Sequence, residues 1–189
     1  MKKDFFESLA ALESNPELHC ARLLILLEAF ATESSAGEVE GVTKLAKLDF
    51  LLRYPVLLEK ALQAKRHSTK EVHLLEHERN SVESKMVRYR FGPWDHRYPR
   101  LLSLLQAKGL VQMRMSGITK MVGITTRGKE LARNLANTEE FANVARRAKL
   151  LKRYFDMPAT RLMRFVYSTF PEIVSLELNT AISHENSHS

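Results

Sequence analysis

Asp95-His96 sets a carboxylate beside an imidazole, the pair a hydrolase uses to activate a nucleophile. The pair needs a hydroxyl or thiol held within its reach, and the surrounding sequence supplies none. Asp95 fits better as the cap of the following helix or the closure of the Gly92-Pro93 turn. His73 and His77 stand at i, i+4, the spacing that puts two metal ligands on one helix face. Their neighbours are polar and no third ligand is close, so solvent-facing histidines are the favoured reading. His19 and Cys20 are adjacent and point to different faces, which makes Cys20 a core residue. The chain has no GxxxxGK[ST] or GxGxxG loop, no GxSxG elbow and no HExxH pair. It is expected not to be an enzyme and to hold neither cofactor nor metal.

The other chemistry available is charge. The net charge is +7, and residues 85–133 account for it, with eleven Lys/Arg against two Asp/Glu. Residues 1–42 run the other way, with three against eight. A basic cluster of this kind fits a polyanion or an acidic protein. The alternative is a solvated basic face with no partner. Arg88 and Arg90 flank Tyr89 and share one strand face. Arg97 and Arg100 begin a helix, and Arg114 and Lys120 fall on a hairpin. These six are the expected contacts to DNA phosphate. Trp94 could pack on sugar or anchor a partner. Phe165, Phe170 and Ile173 surround a Pro171 break, where a helix end can present them to a partner protein. Their alternative is packing against the first long helix.

Elements must hold these residues. Asn15-Pro16 should open a buried helix running to about Ser34. SSAGEVEG reads as a polar loop. Thr43 should cap a helix that Pro55 stops, with Leu45, Leu48 and Leu52 inward and Lys44 and Lys47 off that face. KMVRYRF reads as a strand, and Leu101, Leu102, Leu104 and Leu105 as a helix stopped by Gly109 at positive φ. LVQMRMS and TKMVGIT form a hairpin with a three-residue turn around Gly117. Thr126 should cap a helix that returns Leu131 and Leu135 to the core. The remainder is helical to about residue 178. The expected fold is mainly α (α+β): a winged-helix domain with a small β-hairpin wing and additional C-terminal helices. Residues 1–16 form an N-terminal segment, 17–136 the winged-helix domain with a helical insertion at about 55–84, 137–178 a helical extension and 179–189 a disordered tail. No run of about 18 apolar residues suggests a membrane span, and MKKDFFESLAALESN is too acidic for a signal peptide. With one cysteine, a reducing cytoplasm is the expected location.

The stretches KLAKLDFLLRYP (44–55), VRYRFGPWDHRYPRLLSLLQAKGLV (87–111) and LLKRYFDMPATRLMRFVYSTFPEIVSLE (150–177) resemble the middle component of bacterial ABC three-component systems. The nearest type is the small winged-helix subunit of Lamassu-like, SMC-type defence complexes. The resemblance spans roughly residues 17–178. It implies a non-catalytic accessory subunit that bridges or restrains an SMC-like coiled-coil ATPase and an effector, often a nuclease. It implies a complex that senses foreign DNA such as phage or plasmid, and it transfers no functional residues; nonspecific contact of this chain with double-stranded DNA is expected from the basic segment 85–133. The rival expectation is a stand-alone winged-helix transcription regulator.

Overall fold

A computed structural model describes residues 15–31, 38–76, 78–79 and 98–171. Among them, seven α-helices surround a small three-stranded antiparallel sheet, an α+β arrangement dominated by helix. Helix α1 (Pro16–Phe30) begins where the Asn15 side chain accepts the Glu17 N–H at 2.9 Å. Pro16 occupies the first helical position, where a missing N–H costs nothing. Leu23, Leu24, Ile25, Leu26, Leu27 and Phe30 are all buried. The helix is hydrophobic nearly all round because the helices Tyr98–Ala107, Thr126–Ala136 and Glu139–Phe155 pack around it.

Strand β1 (Glu38–Glu40) lies in the segment expected to be a polar loop. One apolar residue between two glutamates carries almost no strand signal. The pairing partner creates the strand: Glu38, Val39 and Glu40 lie opposite Gly123, Val122 and Met121. Val39 then enters the core. Gly41, at φ +85, turns the chain into α2 (Val42–Arg53). The expected cap, Thr43, is therefore already inside the first turn.

Tyr54 separates α2 from α3 (Pro55–Ala64), so Pro55 stops one helix and starts the next. A single 3₁₀ turn (Lys70–Val72) follows and buries Val72. The strand expected around residues 85–91 and the Gly92-Pro93 turn lie outside the described residues.

Helix α4 (Tyr98–Ala107) buries Leu101, Leu102 and Leu105 and leaves Leu104 partly exposed. It ends as expected, with Gly109 at φ +67. The Leu110 N–H reaches back to the Leu105 carbonyl at 3.0 Å, and the Gly109 N–H to that of Gln106 at 2.9 Å. This paired closure needs a left-handed residue. A Cβ at Gly109 would meet no atom within 4 Å, so only backbone strain opposes a side chain. Gly109→Val is expected to destabilise by about 1–2 kcal/mol in urea unfolding. An unchanged midpoint would show that the helix end does not depend on that conformation.

Strands β2 (Val111–Ser116) and β3 (Thr119–Ile124) form the hairpin. Ser116 pairs with Thr119, so the turn has two residues, Gly117 and Ile118, where three were expected. The sheet order is β1-β3-β2. Val39, Val111, Val122 and Ile124 face the core, and the opposite face carries charge and solvent contacts.

Helix α5 (Thr126–Ala136) is capped by Thr125, one residue before the expected cap. The Thr125 hydroxyl accepts the Gly128 N–H at 3.0 Å. Leu131, expected in the core, is 38% exposed. Gly128 and Ala132 face inward in its place, and these small residues let α5 approach closely and rotate Leu131 off the core.

Helix α6 (Glu139–Phe155) packs on α1, and α7 (Ala159–Thr169) packs on α2 and α3. Their buried residues, among them Leu150, Leu151, Phe155, Leu162 and Val166, join the same apolar cluster as α1 and the sheet. The C-terminal helices thus complete the core. No helix among the described residues is long and apolar enough to cross a membrane.

Candidate interface around the fourth helix and the hairpin

Three polar fasteners hold the surfaces in place. The first centres on Asp49 of α2. Arg22 of α1 forks onto its two carboxylate oxygens at 2.5 and 3.0 Å. The Tyr98 hydroxyl, at the start of α4, donates to the same carboxylate at 2.6 Å. Arg22 also lies 3.0 Å from His19 Nδ1. Burial pushes the Asp49 carboxyl up, but the Arg22 charge and hydrogen bonds outweigh it, with smaller help from Arg53 and Tyr98. The carboxyl ends below its ordinary value. Burial, reinforced by the Asp49 charge, drives the Tyr98 phenol well above its own. Three helices are locked together at the root of α4.

The second fastener joins α2 to the C-terminal helices. Lys44 reaches Asp156 at 2.9 Å, and Lys152 reaches the same carboxylate at 2.5 Å. Lys47 is fully buried, with its ammonium 5.4 Å from the centre of the Tyr167 ring. Both lysines were expected off the packed face. Helices α6 and α7 cover that second face, so their long stems lie in the interior. The third fastener is Arg147 of α6. It donates to the carbonyls of Val72 and His73 and twice to Glu78 at 2.7 Å. It ties down the chain after α3, where His73 sits at φ +47. Lys65 adds a tie to the Tyr154 carbonyl, over the rings of Phe155 and Phe165.

Of the four expected partner residues, Phe165 and Phe170 are among the described residues. Phe165 is half-buried against Phe155, with ring centres 5.6 Å apart. Phe170, expected at a presented helix end, is 1% exposed. That expectation is corrected: Phe170 precedes Pro171 and cannot continue the helix. It leaves α7 at φ −129, ψ 66, which turns its ring into the core. Trp94 and Ile173 lie outside the described residues.

Arg88, Arg90 and Arg97 of the expected phosphate contacts also lie outside them. Arg100 is exposed on α4, and Lys120 is exposed on β3. Arg114 is exposed but engaged. It forks onto Glu38 of β1 at 2.7 and 2.5 Å. Gly123 stands opposite Glu38 on the intervening strand, and its lack of a side chain clears the diagonal between them. The hydrogen bonds and charge of Glu38 raise the Arg114 pKa.

Sequence reasoning missed one feature. Between the end of α4 and α5 lies a cleft of about 550 Å³, lined by Ala107, Lys108, Leu110, Arg127, Glu130, Leu131 and Asn134. Lys108 and Arg127 belong to the basic segment 85–133. The TTRGKEL stretch gives no local signal for it, because Gly128 and Leu131 are i, i+3 neighbours and only the packing of α5 decides which of them faces inward. Leu104 lies one turn before Lys108 on α4 and is 37% exposed. At the hairpin tip Ile118 is 99% exposed.

Cys20 is buried in the core, as expected, and burial pushes its thiol up. His77 lies outside the described residues, so its pairing with His73 is not placed. Compared with protein-family models, curated proteins and solved structures, this chain matches none.

Proposed function

We propose that this chain is a winged-helix accessory subunit, without catalysis of its own, in an SMC-like ATPase complex that defends a bacterial cytoplasm against phage and plasmid DNA. It bridges or restrains the coiled-coil ATPase and an effector nuclease, and it touches duplex DNA nonspecifically. One observation carries the winged-helix part. The chain runs helix, strand, helix, later helix, hairpin, with sheet order β1-β3-β2 and α4 feeding the hairpin through the Gly109 turn. In that arrangement α4 occupies the place of a recognition helix and β2–β3 the place of a wing. The three quoted stretches that resemble the defence subunits support the choice of partners. In this structure part of each supplies the internal fasteners, through Asp49, Tyr98 and Tyr154, so they support a shared frame.

Backbone contact is favoured over base reading. The first turn of α4 offers no Asn or Gln to an adenine edge. If about four cations meet phosphates, log K should fall against log salt with a slope of about −3.6. Because Glu38 already holds Arg114, Arg114→Ala should change this slope less than Lys120→Ala. Fluorescence anisotropy on unrelated duplexes across a salt series checks both expectations. A slope near zero contradicts the DNA contact. A tight footprint on one operator favours the stand-alone regulator.

A further inference from the structure

We propose that the corner where α3, α6 and α7 meet binds the phosphodiester backbone of a nucleic acid duplex, through Arg66, Arg161 and Arg164 arrayed around Lys65. This rests on the proposed duplex contact and not on the choice of protein partners. It adds a second contact, away from α4 and the hairpin. Helix α2 packs on α7 and on strands β1 and β3, so it lies between the corner and the sheet.

The corner collects cations without counter-charges. Residues 60–70 and 157–171 hold six Lys/Arg and no Asp/Glu. The carboxylates that flank these segments are taken: Glu59 by Arg79, Glu71 by Arg153, and Asp156 by Lys44 and Lys152. Lys65 follows α3 and donates to the Tyr154 carbonyl near the end of α6. Its ammonium lies 5.0 and 5.9 Å from the ring centres of Phe155 and Phe165. Arg66 comes next, exposed, at φ +59. Arg161 and Arg164 are exposed at i, i+3 on α7, so they share one face. Burial lowers the Lys65 pKa, and the Arg161 charge lowers it further, so these two cations repel one another. Arg161 also stands in the first turn of α7, where no side chain caps the helix and its charge opposes the helix dipole. Local preference would put a carboxylate there. A like-charged cluster that breaks this rule without an internal partner is relieved by an anion from outside.

The corner suits a backbone better than a protein surface. The large apolar residues exposed among the described residues are Leu75, Leu104, Met115, Ile118 and Leu131, and all lie outside both segments. A protein interface needs an apolar centre, whereas phosphates need only cations. The Tyr154 ring is already covered, by His67 at 4.3 Å between ring centres and by Arg153 at 5.7 Å, so it offers no platform to an unpaired base. That favours a duplex over a single strand. The arginines come from a turn and a helix and spread over the surface, which matches a repeating polyanion rather than one phosphate.

The test measures duplex binding by fluorescence anisotropy across a salt series, with four full chains. They are the native chain, a corner variant (Arg66→Ala, Arg161→Ala, Arg164→Ala), a hairpin-side variant (Arg100→Ala, Lys120→Ala) and the two sets combined. The three corner arginines make no ion pair among the described residues, so circular dichroism and melting temperature should stay unchanged. The hairpin-side variant should keep binding that weakens with salt. Adding the corner substitutions should then cost roughly tenfold or more in affinity and, if all three arginines meet phosphates, flatten the slope of log K against log salt by about 2.7. Millimolar pyrophosphate at constant ionic strength should leave the native affinity unchanged. Corner substitutions that alter neither the native chain nor the hairpin-side variant would overturn the inference and leave the hairpin contact standing. Loss with the corner variant alone, and none with the hairpin-side variant, would uphold it and remove the hairpin contact. A native chain that binds no duplex would overturn both. Displacement by pyrophosphate would overturn it in favour of a site for a single anion.

Discussion

Asp49→Ala is expected to destabilise this protein by about 3–5 kcal/mol, because it removes one partner from a buried, hydrogen-bonded charge pair. Arg22 would keep its guanidinium in the interior with no carboxylate to receive it. The Tyr98 hydroxyl would lose its 2.6 Å acceptor. Its remaining acceptor, the Ala46 carbonyl, is 3.4 Å away. Tyr98→Phe removes one donor and leaves the ion pair, so its cost should be about 1 kcal/mol. Urea unfolding of the two variants gives the comparison, and equal small losses would show that the network is not what joins α1, α2 and α4.

The same carboxylate sets an acid limit. The Asp49 pKa is lower in the folded chain than in the unfolded one, and so is that of Asp156, where burial is outweighed by hydrogen bonds from Lys152 and Lys44. Between the two values the unfolded chain binds more protons. Their stabilisation is therefore complete above the ordinary carboxyl value of about 4. It is lost as pH falls through the folded values. The native protein should lose stability on acidification below about pH 4, and Asp49→Asn should lose less over the same range.

Gly128→Ala should cost about 3 kcal/mol, at the upper end for overpacking. Helix propensity alone predicts the opposite sign, since alanine is favoured over glycine by about 1 kcal/mol inside a helix. Packing decides against it. A Cβ at Gly128 would stand 2.1 Å from the Leu110 carbonyl oxygen and 2.8 Å from the Ile124 side chain. That oxygen cannot retreat freely, because it accepts the Thr125 N–H and hydroxyl, both at 3.1 Å. Gly109 and Gly128 thus constrain the same corner for different reasons. One needs a left-handed backbone in open space, and the other needs the absence of a methyl group. A Gly128→Ala variant as stable as the native chain would mean that α5 can lift away from the hairpin.

How far the sequence was legible follows from the range of the interactions involved. The Asn15-Pro16 start, the Gly109 stop and the β2–β3 hairpin are local events, written in residues a few positions apart. Strand β1 is invisible locally because it exists only against β3, more than 80 positions away. Lys44 and Lys47 look like surface residues until α6 and α7 arrive to cover them. Phe170 looks presented because Pro171 breaks the helix, yet the break itself turns the ring inward. Of the charged candidates, Arg100 and Lys120 remain exposed as expected. Arg114 is claimed by Glu38 through a pairing register that no short window contains.

We propose that this chain works as part of a larger ATPase assembly. Its most direct test is co-expression of the tagged chain with the products of its neighbouring genes, followed by affinity purification and sizing. A coiled-coil ATPase should co-elute with it in fixed ratio, and the chain by itself should hydrolyse neither ATP nor DNA. A chain that elutes free of any ATPase, as a stable dimer protecting a single operator sequence, would contradict the subunit role and establish the regulator in its place.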